Sequence, residues 1–329
     1  MSALLWQQLN SVPALIVVAM LLCRYLPLPA VFQLRHWISL LVIAITQKVW
    51  RPDDSPAYQR LAGALMWLLL SLPPLLLLPA LASYSAAPAL LSLIVLWSCM
   101  DWPRHEFEAF TRCSARETQR QQLKPLLLRQ VEQLTDAGLA KAAIESMSLR
   151  FAQQLLCPML CFMIAGLPLL IFFTVSQAIF QQINPKRAGF SHYAWWPGLM
   201  TVLPIALSYR CLSLLVWLQS PTRMATKTLL SGPLESETTR RSHHMPLLHA
   251  SKMALLRLIA IQIGRNTAGP RFYENIRVDI ARLGPAIQPN QADVSGMLQR
   301  LTQLQFAIML IFAGYVIAQI LFLIHLSLQ

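Results

Sequence analysis

The sequence predicts an all-α integral membrane protein with about six transmembrane helices and two cytoplasmic helical regions. Three observations lead there. Hydrophobic residues make up 56% of the 329, charged residues 12%, and the mean hydropathy is +0.50. A soluble domain usually carries about 25% charged residues. Several apolar runs approach the ~20 residues that cross a bilayer as a helix. Lys and Arg gather in three of the intervening stretches, the pattern that orients multispan proteins.

The spans are expected at about 4–23, 61–82, 86–102, 154–179, 196–219 and 305–326, in one membrane domain over 1–329. The first begins among Gln7, Gln8 and Asn10. It follows neither a basic n-region nor a small-x-small cleavage site, so it is expected to be retained. The third is short and pairs with the second as a tight hairpin. The run Ile38 to Ile45 is too short to span and is expected at the interface or as a re-entrant segment. The glycine of AGLPLL at 165–170 carries no signal.

Stretches 24–60, 103–150 and 220–304 carry 5, 8 and 11 Lys and Arg, together 24 of the 27. Six spans put all three on one side. The positive-inside rule makes that side cytoplasmic, with both termini on the outer side. The net charge of +13 is thereby explained without nucleic acid, and no exposed face interleaves basic with stacking aromatic residues.

Within 24–60, Pro27 and Pro29 stop a helix. Stretch 103–150 is expected to form a helical hairpin. Stretch 220–304 opens with a linker, SGPLESETTRRSHHMP, then an amphipathic run, LLHASKMALLRLIAIQIG. A Gly/Pro-punctuated segment, GRNTAGPRFYENIRVDIARLGP, leads to a last amphipathic helix that feeds the final span.

The stretch Asp136 to Ile171 is the organising one. Ala140, Ala143, Ile144 and Met147 recur at helical spacing with Lys141 and Glu145 between them. A helix at a surface, or lining a cavity, is expected to run directly into a span. Glu145, Ser146 and Arg150 lie within two turns of that junction, where a site is expected.

The six cysteines mostly lie in or beside apolar segments. Cys157 and Cys161 are four apart without a His or a second Cys pair, so buried hydrophobes are expected rather than disulfides or zinc ligands. His243, His244 and His249 lack acidic partners, and no metal ligand set is assigned. Neither GxxxxGK[ST] nor GxSxG occurs.

Four stretches, in order, resemble the CobD/CbiB family. RHWISLLVIAITQKVWRPDDSPAYQRLAGALMWLLL is similar to its early His-Pro segment. LTDAGLAKAAIESMSLRFAQQLLCPML resembles its Ile-Glu-Ser helix at Gly138, Ala143, Ile144, Glu145, Ser146 and Pro158. Ser208 to Leu212 falls where the family has Pro-x-Arg-Leu. Gly269, Pro270, Tyr273, Gly284 and Asp293 match its Gly-Pro-x-x-Tyr block, its glycine turn and the start of its next helix. The resemblance implies a membrane enzyme of cobalamin biosynthesis that joins an aminopropanol unit to adenosylcobyric acid. ATP and magnesium would be its cofactors if that reaction is retained.

The departures matter as much. Leu26 to Pro29 replace a Gly-Asp-Pro, and Trp37 replaces the Pro after His36. Arg129 to Glu132 replace Ser-Arg-Asp-Thr. Leu149 and Arg150 replace Glu-Asn, and Gln153 replaces an Asp. Ser176 to Ile179 replace Asn-Thr-Leu-Asp, and an Asp-Asp has no counterpart in GLMTVLP. Acyl activation by ATP needs carboxylates to hold magnesium. The alternative is therefore a non-catalytic, AmpE-like membrane regulator or partner. A small-solute transporter fits least, since Arg210 is the one Lys or Arg inside an expected span.

Under the resemblance, Glu145 and Ser146 are the candidate catalytic residues. His36, Arg210, Gly269, Pro270 and Tyr273 are the candidate substrate contacts. Each has a plainer reading: Glu145 as a surface carboxylate paired with Lys141 or Arg129, His36 as an interfacial residue, Arg210 as a snorkelling helix-end cation, and the Gly269–Tyr273 block as a loop. The expected partners are the bilayer, a corrinoid small molecule, and a membrane protein or a second copy of the chain.

Reporter fusions test the orientation. Fusions after residue 130 and after residue 250 should both report the cytoplasm; a periplasmic signal from either would reverse the topology.

Overall fold

The computed structural model describes residues 11–328 apart from 52, 85–86, 114, 128–129, 186–188, 231–244, 274–275 and 279. The start of the first expected span and nearly all of the expected 231–246 linker, with His243 and His244, lie outside the described residues.

The chain is an all-α membrane protein. Helices α1 (Val12–Tyr25), α2 (Leu34–Val49), α3 (Pro56–Tyr84) and α4 (Pro88–Cys99) come first. Two short polar helices follow, α5 (Arg104–Arg112) and α6 (Arg116–Leu123), then α7 (Asp136–Arg150). A π-helical turn, Phe151–Leu156, joins α7 to α8 (Cys157–Gln182). Helices α9 (Trp195–Gln219), α10 (Arg223–Leu230) and α11 (Pro246–Ile263) precede four short strands, and α12 (Gln291–Leu328) ends the chain.

Five of the described helical segments are long and apolar enough to cross a membrane: Pro56–Leu81, Asp136–Gln182, Trp195–Gln219, Pro246–Ile263 and Gln291–Phe322. Pro246–Ile263 is the segment whose residue pattern reads as an amphipathic run. The expected third span is helical only over the 12 residues of α4, because Pro88 starts that helix and the chain turns extended at Met100. The 38 residues of α12 extend to about 57 Å, well beyond a ~30 Å hydrocarbon core. Along α3 and α12 many exposed residues are apolar, among them Leu65, Leu69, Leu76, Leu310, Ile311 and Leu321. Such continuous apolar surface suits lipid rather than water.

Helix α8 is the hub. It packs on α2, α3, α4 and α9, and Leu170, Ile171, Phe173, Val175, Ala178 and Ile179 are all buried. It is not straight. Ala165 (φ −144°) and Gly166 (φ +66°) leave helical geometry, with Pro168 just beyond. Proline withholds an N–H and crowds the preceding turn, and glycine permits the positive φ that the break requires. The expectation that this glycine signals nothing is corrected: it divides the span.

Helix α7 corrects a second expectation. It is no surface helix: Leu139, Ala140 and every residue from Ala142 to Ser148 are buried. Small residues at 140, 142, 143, 146 and 148 let α5, α6, α12 and the first strand close around it. Thr135 caps it by accepting the Gly138 N–H at 3.2 Å.

The Gly/Pro-punctuated segment holds two antiparallel ribbons, a local addition to the helical class. Strand β1 (Thr267–Ala268) pairs with β4 (Arg282–Leu283), and β2 (Arg271–Tyr273) with β3 (Ile276–Val278). Asn290 and Asp293 cap α12 reciprocally, Asp293 N–H to Asn290 Oδ1 at 3.0 Å and Asn290 N–H to Asp293 Oδ2 at 2.8 Å. Arg265 Nε meets the same carboxylate at 3.0 Å and ties the end of α11 to α12.

Gly63 on α3 makes one close approach that a larger residue could not. A Cβ there would stand 2.1 Å from the Tyr193 carbonyl oxygen. Gly63→Ala should destabilise the protein by about 1–3 kcal/mol, the usual cost of overpacking. Thermal unfolding in detergent measures it.

Candidate functional site

Helix α7 presents two polar faces. On one, Glu145 is 3% exposed and points at the ribbon segment. Its Oε1 accepts the Ala268 N–H at 2.6 Å, and its Oε2 meets Arg271 Nη2 at 2.7 Å. Arg271 is itself buried. The turn that delivers both donors is unusual in backbone. Ala268 has φ +57° and Gly269 φ +112°. An alanine in the left-handed region costs about 1 kcal/mol, and bonding its N–H to a buried carboxylate offsets that cost. Gly269 takes a conformation that side chains rarely adopt, and Pro270, exposed, leads into β2. Gly269 and Pro270 thus shape the turn that seats Arg271. The backbone of Tyr273 ends β2, and its side chain lies outside the described residues.

The expected picture of Glu145 as a surface carboxylate is overturned, since it is buried, and it forms an ion pair with Arg271. That partner is 126 residues away, beyond the reach of local spacing.

On the other face, Ser146 Oγ donates to the Leu126 carbonyl at 3.2 Å and Arg150 Nη2 to the same oxygen at 3.0 Å. Ser146 therefore packs away from Glu145. Arg150 leads into a second polar group that sequence reasoning missed. Arg35 on α2 is 9% exposed, and its Nη2 donates to Gln177 Oε1 at 3.0 Å. The neighbours of the Gln154 amide assign its orientation: with the nitrogen donating to the Asp101 carbonyl at 2.8 Å, the oxygen faces the arginines. That oxygen accepts from Arg35 Nη1 at 2.7 Å and from Arg150 Nη1 at 3.3 Å. The neighbouring Gln153 amide contacts the buried Tyr209 hydroxyl. The π turn brings Gln153 and Gln154 into this layer; such turns are frequent at functional sites.

Neither guanidinium has a carboxylate within ion-pair distance among the described residues. Asp101 acts on both, and Glu106 on Arg150, only across a longer range. The buried Arg35 Nε–H has no hydrogen-bond partner among the described residues.

The remaining candidates stand elsewhere. His36 is half-buried, edge-on to Trp37 with ring centroids 6.2 Å apart. Arg210 is half-buried on α9, beside Tyr209 in sequence but not in the Arg35 cluster. The buried arginine is Arg35, one residue before His36. A signal for it existed: Arg35, Ile38 and Val42 form the buried stripe of α2 at i, i+3 and i+7.

The chain's relatives bear on this arrangement. Residues 16–179 match the family model described as CobD/Cbib protein. Over that half, the chain belongs to the CobD/CbiB family. The match supports a role in cobalamin biosynthesis, and it takes in α7, Glu145 and the Arg35 cluster. The likeness at 208–212 and 269–293 lies beyond it. No curated protein and no solved structure matches the chain.

For the magnesium that the family resemblance implies together with ATP, the described residues offer no cluster of ligands. Among the described residues no three His, Cys, Asp or Glu side chains converge on a common point. Glu145 is held by Arg271, and the family's Glu-Asn and Asp positions are Leu149, Arg150 and Gln153. Residues of the Arg35 cluster suit an anion better than a cation.

The Glu145–Arg271 pair is testable. Glu145→Gln removes one charge of a buried ion pair and should cost about 3–5 kcal/mol of stability. Adding Arg271→Met to Glu145→Gln should recover part of it. A double-mutant cycle on thermal unfolding reads the coupling.

Proposed function

We propose that this protein is a membrane-resident member of the CobD/CbiB family that has given up the amide-forming step. It acts instead as an AmpE-like regulator or partner in the bacterial inner membrane, with its basic stretches on the cytoplasmic side. One observation carries this reading: Arg150 and Gln153, standing where the resemblance expects carboxylates or an amide, join Arg35 in a layer without a close carboxylate among the described residues. Attachment of aminopropanol to adenosylcobyric acid begins with an activated carboxyl group. That activation relies on metal-held phosphates, and a pair of guanidiniums repels the metal.

The second reading, an intact synthase acting on a corrinoid carboxylate, is favoured by the family match across Glu145 and Ser146. In it those two would be catalytic and His36, Arg210, Gly269, Pro270 and Tyr273 would contact substrate. Against it, Glu145 and Ser146 turn to different segments, Ser146 to Leu126 and Glu145 to Ala268, and both are engaged in holding them.

Complementation separates the two. The chain is expressed in a bacterium lacking its cobinamide-phosphate synthase and supplied with cobyric acid. With membrane expression verified, B12-dependent growth should not return. Restored growth would establish the synthase and overturn the proposal.

A further inference from the structure

A buried guanidinium, Arg35, and a half-buried one, Arg150, that share one neutral amide oxygen are an uncommon arrangement. Amide and carbonyl oxygens satisfy N–H groups but do not cancel charge, and a buried uncompensated cation costs several kcal/mol. Arg35 and Arg150 are bonded to Gln154, Gln177 and the Leu126 carbonyl, all neutral. The donor inventory is also incomplete, because Arg35 Nε–H is buried and unmatched among the described residues. Asp101 is the carboxylate acting on both arginines, but among the described residues it does so from beyond ion-pair distance, while its backbone fixes Gln154: its N–H donates to the Gln154 carbonyl at 3.2 Å, and its carbonyl accepts the Gln154 amide. What the layer lacks is an acceptor that carries negative charge.

We infer that Arg35 and Arg150, fixed by Gln154 and Gln177, form a binding site for an oxyanion, a phosphate group carried by a soluble molecule or by a lipid headgroup. Guanidinium forks match tetrahedral and planar oxyanions through paired N–H donors, and such charge-assisted bonds are about twice as strong as neutral ones. The site is pre-organised. Gln177 on α8 holds one edge of Arg35, and Gln154 holds both arginines from the π turn. The segment Lys124–Leu126, through the Leu126 carbonyl, holds Arg150. Helices α2, α7 and α8 thus meet at the anion, and its binding stabilises their packing. The inference is independent of whether the amide-forming step survives.

The test uses the full chain purified in a neutral detergent, with unfolding followed by tryptophan fluorescence. Inorganic phosphate is titrated against chloride at matched ionic strength. In a second arm the protein is placed in phosphatidylcholine nanodiscs with and without phosphatidylglycerol. A saturable rise in the unfolding temperature with phosphate supports the site with a soluble source. A rise only with phosphatidylglycerol supports it with a lipid source. Arg35→Gln and Arg150→Gln should each weaken the effective arm by about tenfold or more. Arg150→Lys, which keeps the charge without the fork, covers the case in which a glutamine variant does not fold, and it should also weaken binding. No rise with either probe in the wild-type protein overturns the inference. So does an undiminished rise in the folded variants. Complementation does not enter either arm, so failure here and failure of the proposed function are told apart.

Discussion

The burial of Glu145 constrains how α7 and the ribbon segment pack together. A carboxylate 3% exposed must be met by donors, and the donors come from a ribbon more than 120 residues later. Meeting it requires a left-handed alanine, a glycine with φ +112° and an arginine drawn out of water. The ribbon in turn rests on α11, and the Arg265–Asp293 pair ties α11 to the long final helix. The first half of the chain, which carries the family match, is thus tied through α7 to a second half that the match does not reach.

The same helix handles a second electrostatic problem on its other face. Arg150 and Arg35 are withdrawn from water and surrounded by neutral acceptors. Where Glu145 and Arg271 cancel each other, these two repel. A protein tolerates such a layer when its hydrogen bonds are well made and when charge is supplied from elsewhere. The π turn contributes by shifting the helical register, so that Gln153 and Gln154 both serve the layer before α8 resumes as an apolar helix. The departures from the family pattern at 150, 153 and 177 are scattered in sequence and contiguous in space.

The helix α8 break has a related role. A straight 26-residue apolar helix would present one uninterrupted rod to its neighbours. The change of direction at Ala165–Gly166 gives the span two segments, of which the second carries the continuous buried run from Leu170 to Ile179. The first segment keeps Met163 and Ile164 exposed, as lipid-facing residues would be.

The sequence by itself determined the class. Low charge, long apolar runs and clustered Lys and Arg follow from the solvent a bilayer provides, and solvent acts on composition, so composition reveals it. It also determined that α7 feeds a span directly and that Glu145 stands apart from ordinary residues. The tertiary structure alone decided what those residues do. Glu145 is a buried anchor because Arg271, remote in sequence, reaches it. Arg35 outranks His36 because a helical turn of about 100° sends one inward and leaves the other half-buried beside Trp37. Whether a polar residue in an apolar run is a site or a spacer depends on which other polar residues share its layer, and layers form only when helices pack.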